Sequence, residues 1–275
     1  MEDLLSLTPR FQMVPNSDGS KIEAVVAEVR AFVSRRRLNR PQGIVWTNVD
    51  GAIADCLETI GRMCAQEEFA FINQMVAEEK VTKAHELWLK FHVLLVEKKL
   101  EFDALVDLLA GNHELIDGVF PLQEKLLQRG IVLVAITNGV ERFLRKALEK
   151  HHFVMPLLGN DIFFDDDGSF QGLKLIHGPG WLDKGRIIET VAKTFTIQPL
   201  ACIGNGPSDI SMARATIGLG GTVVSRGTNS PLSQWCHANL KPEQFLQYTG
   251  EHGLRGWVSE IVRRCANAQR QAAAS

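Results

Sequence analysis

The sequence predicts an α/β fold: a Rossmann-like, doubly wound parallel sheet core with an inserted all-helical cap. Three observations predict it. Apolar runs that empty into polar, glycine-containing turns recur near residues 43–51, 131–139 and 200–209. Amphipathic helical segments separate the later runs, and such alternation implies a parallel sheet with helices on both faces. Residues 55–115 carry helical spacing and no convincing strand.

The elements follow in order. Residues 1–20 form a weak lead, with Pro9, Pro15 and the turn-like Asn16-Ser17-Asp18-Gly19. Ile22, Val25, Val26, Val29, Phe32 and Val33 then recur at helical spacing. That helix ends in Arg35, Arg36, Arg37 and Arg40, where cations suit the helix dipole, before Pro41 and Gly43 stop it. With nothing aromatic interleaved, the Arg cluster reads as a solvated helix end. Ile44, Val45 and Trp46 form the first strand, which meets Asn48-Val49-Asp50-Gly51. Residues 57–115 read as a small helical bundle, stopped at Gly111-Asn112.

From residue 116 the core resumes. PLQEKLLQRG is a helix, IVLVAITNG a buried strand, VERFLRKALEKH a helix and DIFFDDDGSFQG a hairpin around Asp166-Asp167-Gly168. DKGRIIETVAKTF is a helix and LACIGNGPSD a strand with a glycine-rich turn. SMARATIG is a short helix, GTVVS the last strand and WVSEIVRRCANA the closing helix. The division expected is an N-terminal lead and helix at 1–42, a core at 43–56 and 116–265, a cap at 57–115 and a polar tail at 266–275. The first helix is expected to pack on the core or on a partner.

Composition sets outer bounds. The net charge is −2, with 45% apolar and 23% charged residues. These values exclude a mainly disordered chain and argue against a dedicated nucleic-acid binder, which carries a basic excess. No stretch approaches the roughly 18 apolar residues of a membrane span. MEDLLSLTPR carries acids where an export signal carries Lys or Arg. Five cysteines, Cys56, Cys64, Cys202, Cys236 and Cys265, match neither a disulfide framework nor a zinc site. The expected compartment is the reducing cytoplasm.

Parallel strands end on one edge of such a sheet, and ligands bind there. Three polar turns can therefore converge, together with Lys184 at the start of a helix. This ordered set resembles the haloacid dehalogenase superfamily, nearer its phosphatases and specifically the phosphoserine-phosphatase-like branch with a helical cap. The resemblance covers about residues 43–225. The family's Asp-x-Asp-Gly is Asn48-Val49-Asp50-Gly51 here, and its Thr or Ser after an apolar strand is Thr137-Asn138-Gly139. Its helix-opening Lys is Lys184, and its Gly-Asp-Gly-x-x-Asp is Gly204-Asn205-Gly206-Pro207-Ser208-Asp209.

The resemblance implies phosphoryl transfer. A carboxylate attacks phosphorus to give an acyl-phosphate, and a second carboxylate two residues on handles the leaving group's proton. Carried over, Asn48 stands at the nucleophile position and Asp50 is the acid/base. Thr137, Asn138, Gly139 and Lys184 bind phosphate. Asp50, through its main-chain carbonyl, with Asn205 and Asp209 forms the Mg²⁺ site.

Two residues depart from that pattern. Asn48 is neutral where the family carries its nucleophile, and losing a nucleophile commonly costs on the order of 10⁴–10⁶ in rate. Asn205 is neutral where Mg²⁺ meets an anion. Across positions 48, 50, 184, 205 and 209 the family pattern sums to −3 and this chain to −1. The leading expectation is therefore a pseudoenzyme: poor at hydrolysis, with Mg²⁺ binding weakened or lost. Its pocket is kept for a small, anionic or phosphorylated ligand, or for a repurposed acid/base reaction using Asp50. A second reading is a Mg²⁺-dependent phosphomonoesterase in which Asn48 is an introduced, substrate-trapping change. A third is a regulatory or interaction protein that docks through the cap and the Arg-rich helix. Oligomeric state is open.

Other features read as structure. The eight histidines form no recognisable metal spacing; His85 and His92 share a helix face at most. Asp165-Asp166-Asp167 lacks the later Glu of a calcium loop. GLGGTVVS lacks the Lys-Ser/Thr ending of a P-loop. Trp88, Phe91, Phe69 and Phe71 read as bundle core.

Overall fold

The computed structural model describes residues 12–15, 20–36, 41–54, 115–164, 170–175, 183–249 and 253–274. Among these residues eight strands form one sheet. They are β1 (Gln12–Pro15), β2 (Gly43–Thr47), β3 (Ile131–Val140), β4 (Leu157–Phe164), β5 (Phe170–Leu175), β6 (Pro199–Gly204), β7 (Thr222–Arg226) and β8 (Phe245–Tyr248). Their order is β1-β5-β4-β3-β2-β6-β7-β8. All neighbours are parallel except β4 and β5, which run antiparallel. The helices are α1 (Ser20–Arg35), α2 (Val119–Leu127), α3 (Glu141–Lys150), α4 (Lys184–Phe195), α5 (Asp209–Gly218), α6 (Pro231–Asn239) and α7 (Val258–Ala274).

The central strands carry unbroken apolar runs ahead of their polar ends because both faces are covered. Val45, Ile131, Leu133 and Ala135 face one core with α2, α3 and α7. Ile44, Trp46, Val132, Val134 and Ile136 face the other with α1, α4, α5 and α6. Strands buried on both faces lose the polar alternation of a half-exposed sheet. The doubly wound α/β core is thus present as expected.

The N-terminal helix packs on the core. Its Ile22, Val25, Val26, Val29, Phe32 and Val33 are all buried. Its polar face is tied down as well: Arg145 on α3 donates to Glu28 at 2.6 Å and to Glu141 at 3.0 Å, and Lys21 donates to the Gly159 carbonyl at 2.9 Å.

Several expectations need correction. The lead contains β1, which pairs with β5. GTVVS is not the last strand: α6 and then β8 follow, and β8 closes that edge of the sheet. The closing helix runs to Ala274, so residues 266–274 are helix rather than tail. β4 and β5 form the antiparallel pair expected of the hairpin; its turn at 165–169 lies outside the described residues. So does the cap up to residue 114, with Trp88, Phe91, Phe69, Phe71, His85 and His92. Where that segment joins the core is described: Ala54 bridges Leu115 antiparallel, and Ile116 N–H donates to the Ile53 carbonyl at 2.9 Å. The chain therefore leaves and re-enters the core side by side, as an inserted segment does.

Candidate functional site

Register brings the motifs to one level. Thr47 at the end of β2 lies opposite Ala135 on β3 and Ile203 on β6. Asn48, Thr137 and Asn205 follow within two residues, so all three emerge at the same sheet edge. Asn48 is held there by its own main chain, whose N–H donates to the Ile203 carbonyl at 2.9 Å.

Thr137-Asn138-Gly139 is not a turn beyond the strand, as the sequence suggests, but an irregularity inside β3. Ile136 pairs with Leu158 and Val140 with Asn160, so four steps on β3 match two on β4. The extra residues bulge from the ladder, a common device for aiming side chains at a site. Thr137 is buried, and its Oγ1 accepts from the Gly139 N–H at 3.0 Å. The Asn138 carbonyl accepts from Asn160 Nδ2 at 2.9 Å.

A buried ionic pair lies beneath. Lys184 Nζ donates to Asp209 Oδ1 at 2.5 Å and to Asn48 Oδ1 at 3.1 Å. The side chains of Lys184 and Asp209 are both 0% exposed. Asp209 Oδ2 accepts from the Asn205 and Gly206 main-chain N–H groups at 2.8 and 2.9 Å. Both carboxylate oxygens are thus engaged, which compensates the burial of the two charges. Asp183 caps α4, accepting from the Arg186 N–H at 3.1 Å, and so sets where Lys184 starts. Burial pushes the neighbouring Cys202 thiol well above its ordinary value.

The first loop completes the cluster. Asn48 Nδ2 donates to the Asp50 main-chain oxygen at 2.7 Å. A Cβ built on Gly139 meets Asp50 Oδ2 at 3.5 Å and Thr137 Oγ1 at 3.3 Å, which puts that carboxylate beside the β3 bulge. Gly51 has φ +70°, and a Cβ there would collide with Asn205 Nδ2. Glycine is therefore required at position 51 twice over, by the left-handed backbone and by the side chain lying against it. Asn205 Oδ1 is buried without a hydrogen-bond partner among the described residues.

The structure thus brings Asn48, Asp50, Thr137, Gly139, Lys184, Asn205 and Asp209 to one edge. Asn138 sits between two of them, with its main chain tied to β4. Two contributors were not anticipated. Tyr248 on β8 donates its hydroxyl to the Ala52 carbonyl at 2.6 Å, and Asn160 on β4 steadies the bulge. Tyr248 is the only tyrosine in the chain, the one signal in the sequence that sets it apart. Among the described residues no group of three or more His, Cys, Asp and Glu side chains is placed to hold a metal, and no helix is long and apolar enough to cross a membrane.

Known proteins share this architecture. The family model described as Pyrimidine 5'-nucleotidase (UMPH-1) matches residues 67–184, a span that contains Thr137 and ends on Lys184. No curated protein matches the chain. A phosphoserine phosphatase solved as a phospho-aspartyl intermediate analogue has a TM-score of 0.57 and 18% identity, covering 81% of this chain and 100% of its own. The phosphoserine phosphatase of T. onnurineus has a TM-score of 0.54 and 15% identity, covering 80% of this chain and 96% of its own. A cytosolic 5'-nucleotidase IIIB bound to cytidine has a TM-score of 0.50 and 11% identity, covering 100% of this chain and 99% of its own. At these identities the likeness is one of fold.

Proposed function

We propose that the chain is a member of the haloacid dehalogenase superfamily that binds a small phosphomonoester and is deficient in hydrolysing it, a reading supported by the matched family model and the shared fold. One observation carries this reading: the side chain at the nucleophile position is a carboxamide engaged at both ends, by Lys184 through Oδ1 and by the Asp50 carbonyl through Nδ2. An amide oxygen is neutral and poorly nucleophilic. Here it also faces an ammonium that draws on its electron density. No anion stands at the end of β2 to attack phosphorus, and the covalent step loses its first bond.

Binding makes different demands, and the remaining residues meet them. An ammonium has three donors, and Lys184 spends one on Asp209 and one on Asn48. The third suits a phosphoryl oxygen. Thr137 Oγ1 accepts from Gly139 and keeps its own O–H to donate. Asp50 beside the bulge is the acid that would serve a leaving group. In relatives that hold it, a divalent cation supplies charge neutralisation on the phosphoryl oxygens. The donor set here fits such an ion poorly. Asn48 Nδ2 covers the Asp50 carbonyl, Asp209 already accepts three hydrogen bonds, and Asn205 offers a neutral oxygen.

Nucleoside 5'-monophosphates, pyrimidine ones first, are the ligand class to test, on the strength of the matched family model. The cytosolic nucleotidase of like fold supports a cytoplasmic setting. The chain as it stands is expected to bind 5'-UMP and to release no phosphate from it above background. Asn48→Asp with Asn205→Asp is expected to raise Mg²⁺-dependent release on the order of 10⁴-fold. Brisk turnover by the unaltered chain, or no gain in a folded double variant, contradicts the proposal.

A further inference from the structure

The Asn48 carboxamide does more than remove a nucleophile. Its Nδ2 lies 2.7 Å from the Asp50 main-chain oxygen. An ionised carboxylate at position 48 has only acceptors. In that place two oxygens would face each other at hydrogen-bonding distance, and their repulsion would require a cation or a proton between them. The carboxamide supplies its own N–H hydrogen at that point.

The same logic runs through the whole cluster. The Asp50 carbonyl accepts from Asn48 Nδ2, and Asn48 Oδ1 accepts from Lys184 Nζ. Lys184 also donates to Asp209 Oδ1, and Asp209 Oδ2 accepts from Asn205 and Gly206. Every contact in this chain pairs a donor with an acceptor. The loop after Asp50 is pinned separately: Gly51 N–H donates to the Ala54 carbonyl at 2.8 Å, Ile53 N–H to the Val49 carbonyl at 3.0 Å, and Tyr248 to the Ala52 carbonyl. Neutral Asn205 lies against Gly51 without adding a charge beside Asp50.

We infer that the Asn48 carboxamide is a built-in substitute for a divalent cation, so that the motif loop and its phosphate pocket are formed, and can be filled, without metal. The substitute is Nδ2 on the Asp50 carbonyl, and Asn205 supports it by remaining neutral. The ligand part of this inference rests on the phosphomonoester-binding reading; the metal-independence of the loop does not.

The test uses the full chain with MgCl₂ or EDTA as the only variable, reading Tm by calorimetry and binding of inorganic phosphate by titration. The unaltered chain is expected to show the same Tm in millimolar Mg²⁺ and in EDTA, and phosphate affinities within about twofold of each other in the two media. Asn48→Asp removes the donor and adds a carboxylate. Its Tm is expected to fall in EDTA and recover in Mg²⁺, with Mg²⁺ binding on the order of 100-fold tighter than in the parent. Asn205→Asp alone restores an anion but leaves the Asn48 amide N–H where a cation would meet the Asp50 carbonyl, so it is expected to stay unresponsive to Mg²⁺. A Tm rise with Mg²⁺ in the unaltered chain, full Mg²⁺ dependence in Asn205→Asp alone, or phosphate binding abolished by EDTA overturns the inference. The last two variants need not both fold, because the unaltered chain decides on its own. Absence of phosphate binding in both media, or release of phosphate from 5'-UMP, counts against the functional reading and leaves the Tm comparison standing.

Discussion

Two of the charge clusters among the described residues, one at the site and one against α1, differ in depth. At the site, Lys184 and Asp209 meet with side chains 0% exposed. On the polar face of α1, Arg145 bridges Glu28 and Glu141 with all three partly open to solvent. Buried charges cannot fall back on water, so every lone pair must find a protein donor, and Asp209 does find one at each oxygen. The outer cluster fastens an already apolar contact, and water can replace any member of it. Depth, more than the number of bonds, decides what each cluster contributes.

Replacing one buried partner should break that contrast most severely. Lys184→Met leaves Asp209 charged and stranded, with an expected loss of about 3–5 kcal/mol in urea unfolding. Adding Asp209→Leu to it should recover part of the loss. A double variant as unstable as the single one would show that the pair contributes through packing rather than charge.

Next in size is Tyr248→Phe. The ring stays buried while the Ala52 carbonyl loses its donor, an expected cost of about 1–3 kcal/mol. Unchanged stability would mean that water reaches the Ala52 carbonyl. Arg145→Ala tests the outer cluster and should cost about 1 kcal/mol or less in the same assay. A loss as large as that of Lys184→Met would erase the distinction of depth.

The smallest effect belongs to Glu260 on α7. Hydrogen bonds from Arg263 and then Arg264 lower its carboxyl to about 2. A folded-state value held below the ordinary one stabilises the fold above the usual carboxylate range, and that contribution is lost as pH falls toward about 2. The Tm difference between the parent and Glu260→Gln should therefore be small near neutrality, smaller than for Arg145→Ala, and should vanish in acid. A difference that grows on acidification contradicts the assignment.

What was legible in the sequence follows the same physics of depth. β2, β3 and β6 announce themselves because burial on both faces demands unbroken apolar runs, and their polar ends stand out by contrast. Asn48, Thr137 and Asp209, in the polar turns that follow those runs, are legible for that reason, whereas Lys184 at a helix start is singled out only by the family resemblance. β1 and β8 have four residues each and sit at the sheet edges; so short a run carries no usable period. PLSQWCHAN hides α6 because only Leu232, Ser233 and Cys236 of it are buried. The β3 bulge depends on its register with β4, which no local pattern encodes. The Tyr248 bond spans 196 positions along the chain, beyond any spacing rule.

That tyrosine has a practical corollary. Since the chain has one phenol and the fold places it on the carbonyl two residues past Asp50, isotope labelling of tyrosine alone gives a single-probe spectrum of the loop at residues 48–54. Occupancy, loop rearrangement and the state of every variant that keeps Tyr248 can then be followed as movement of one resonance, with no reporter dye and no assumption about what the natural ligand is.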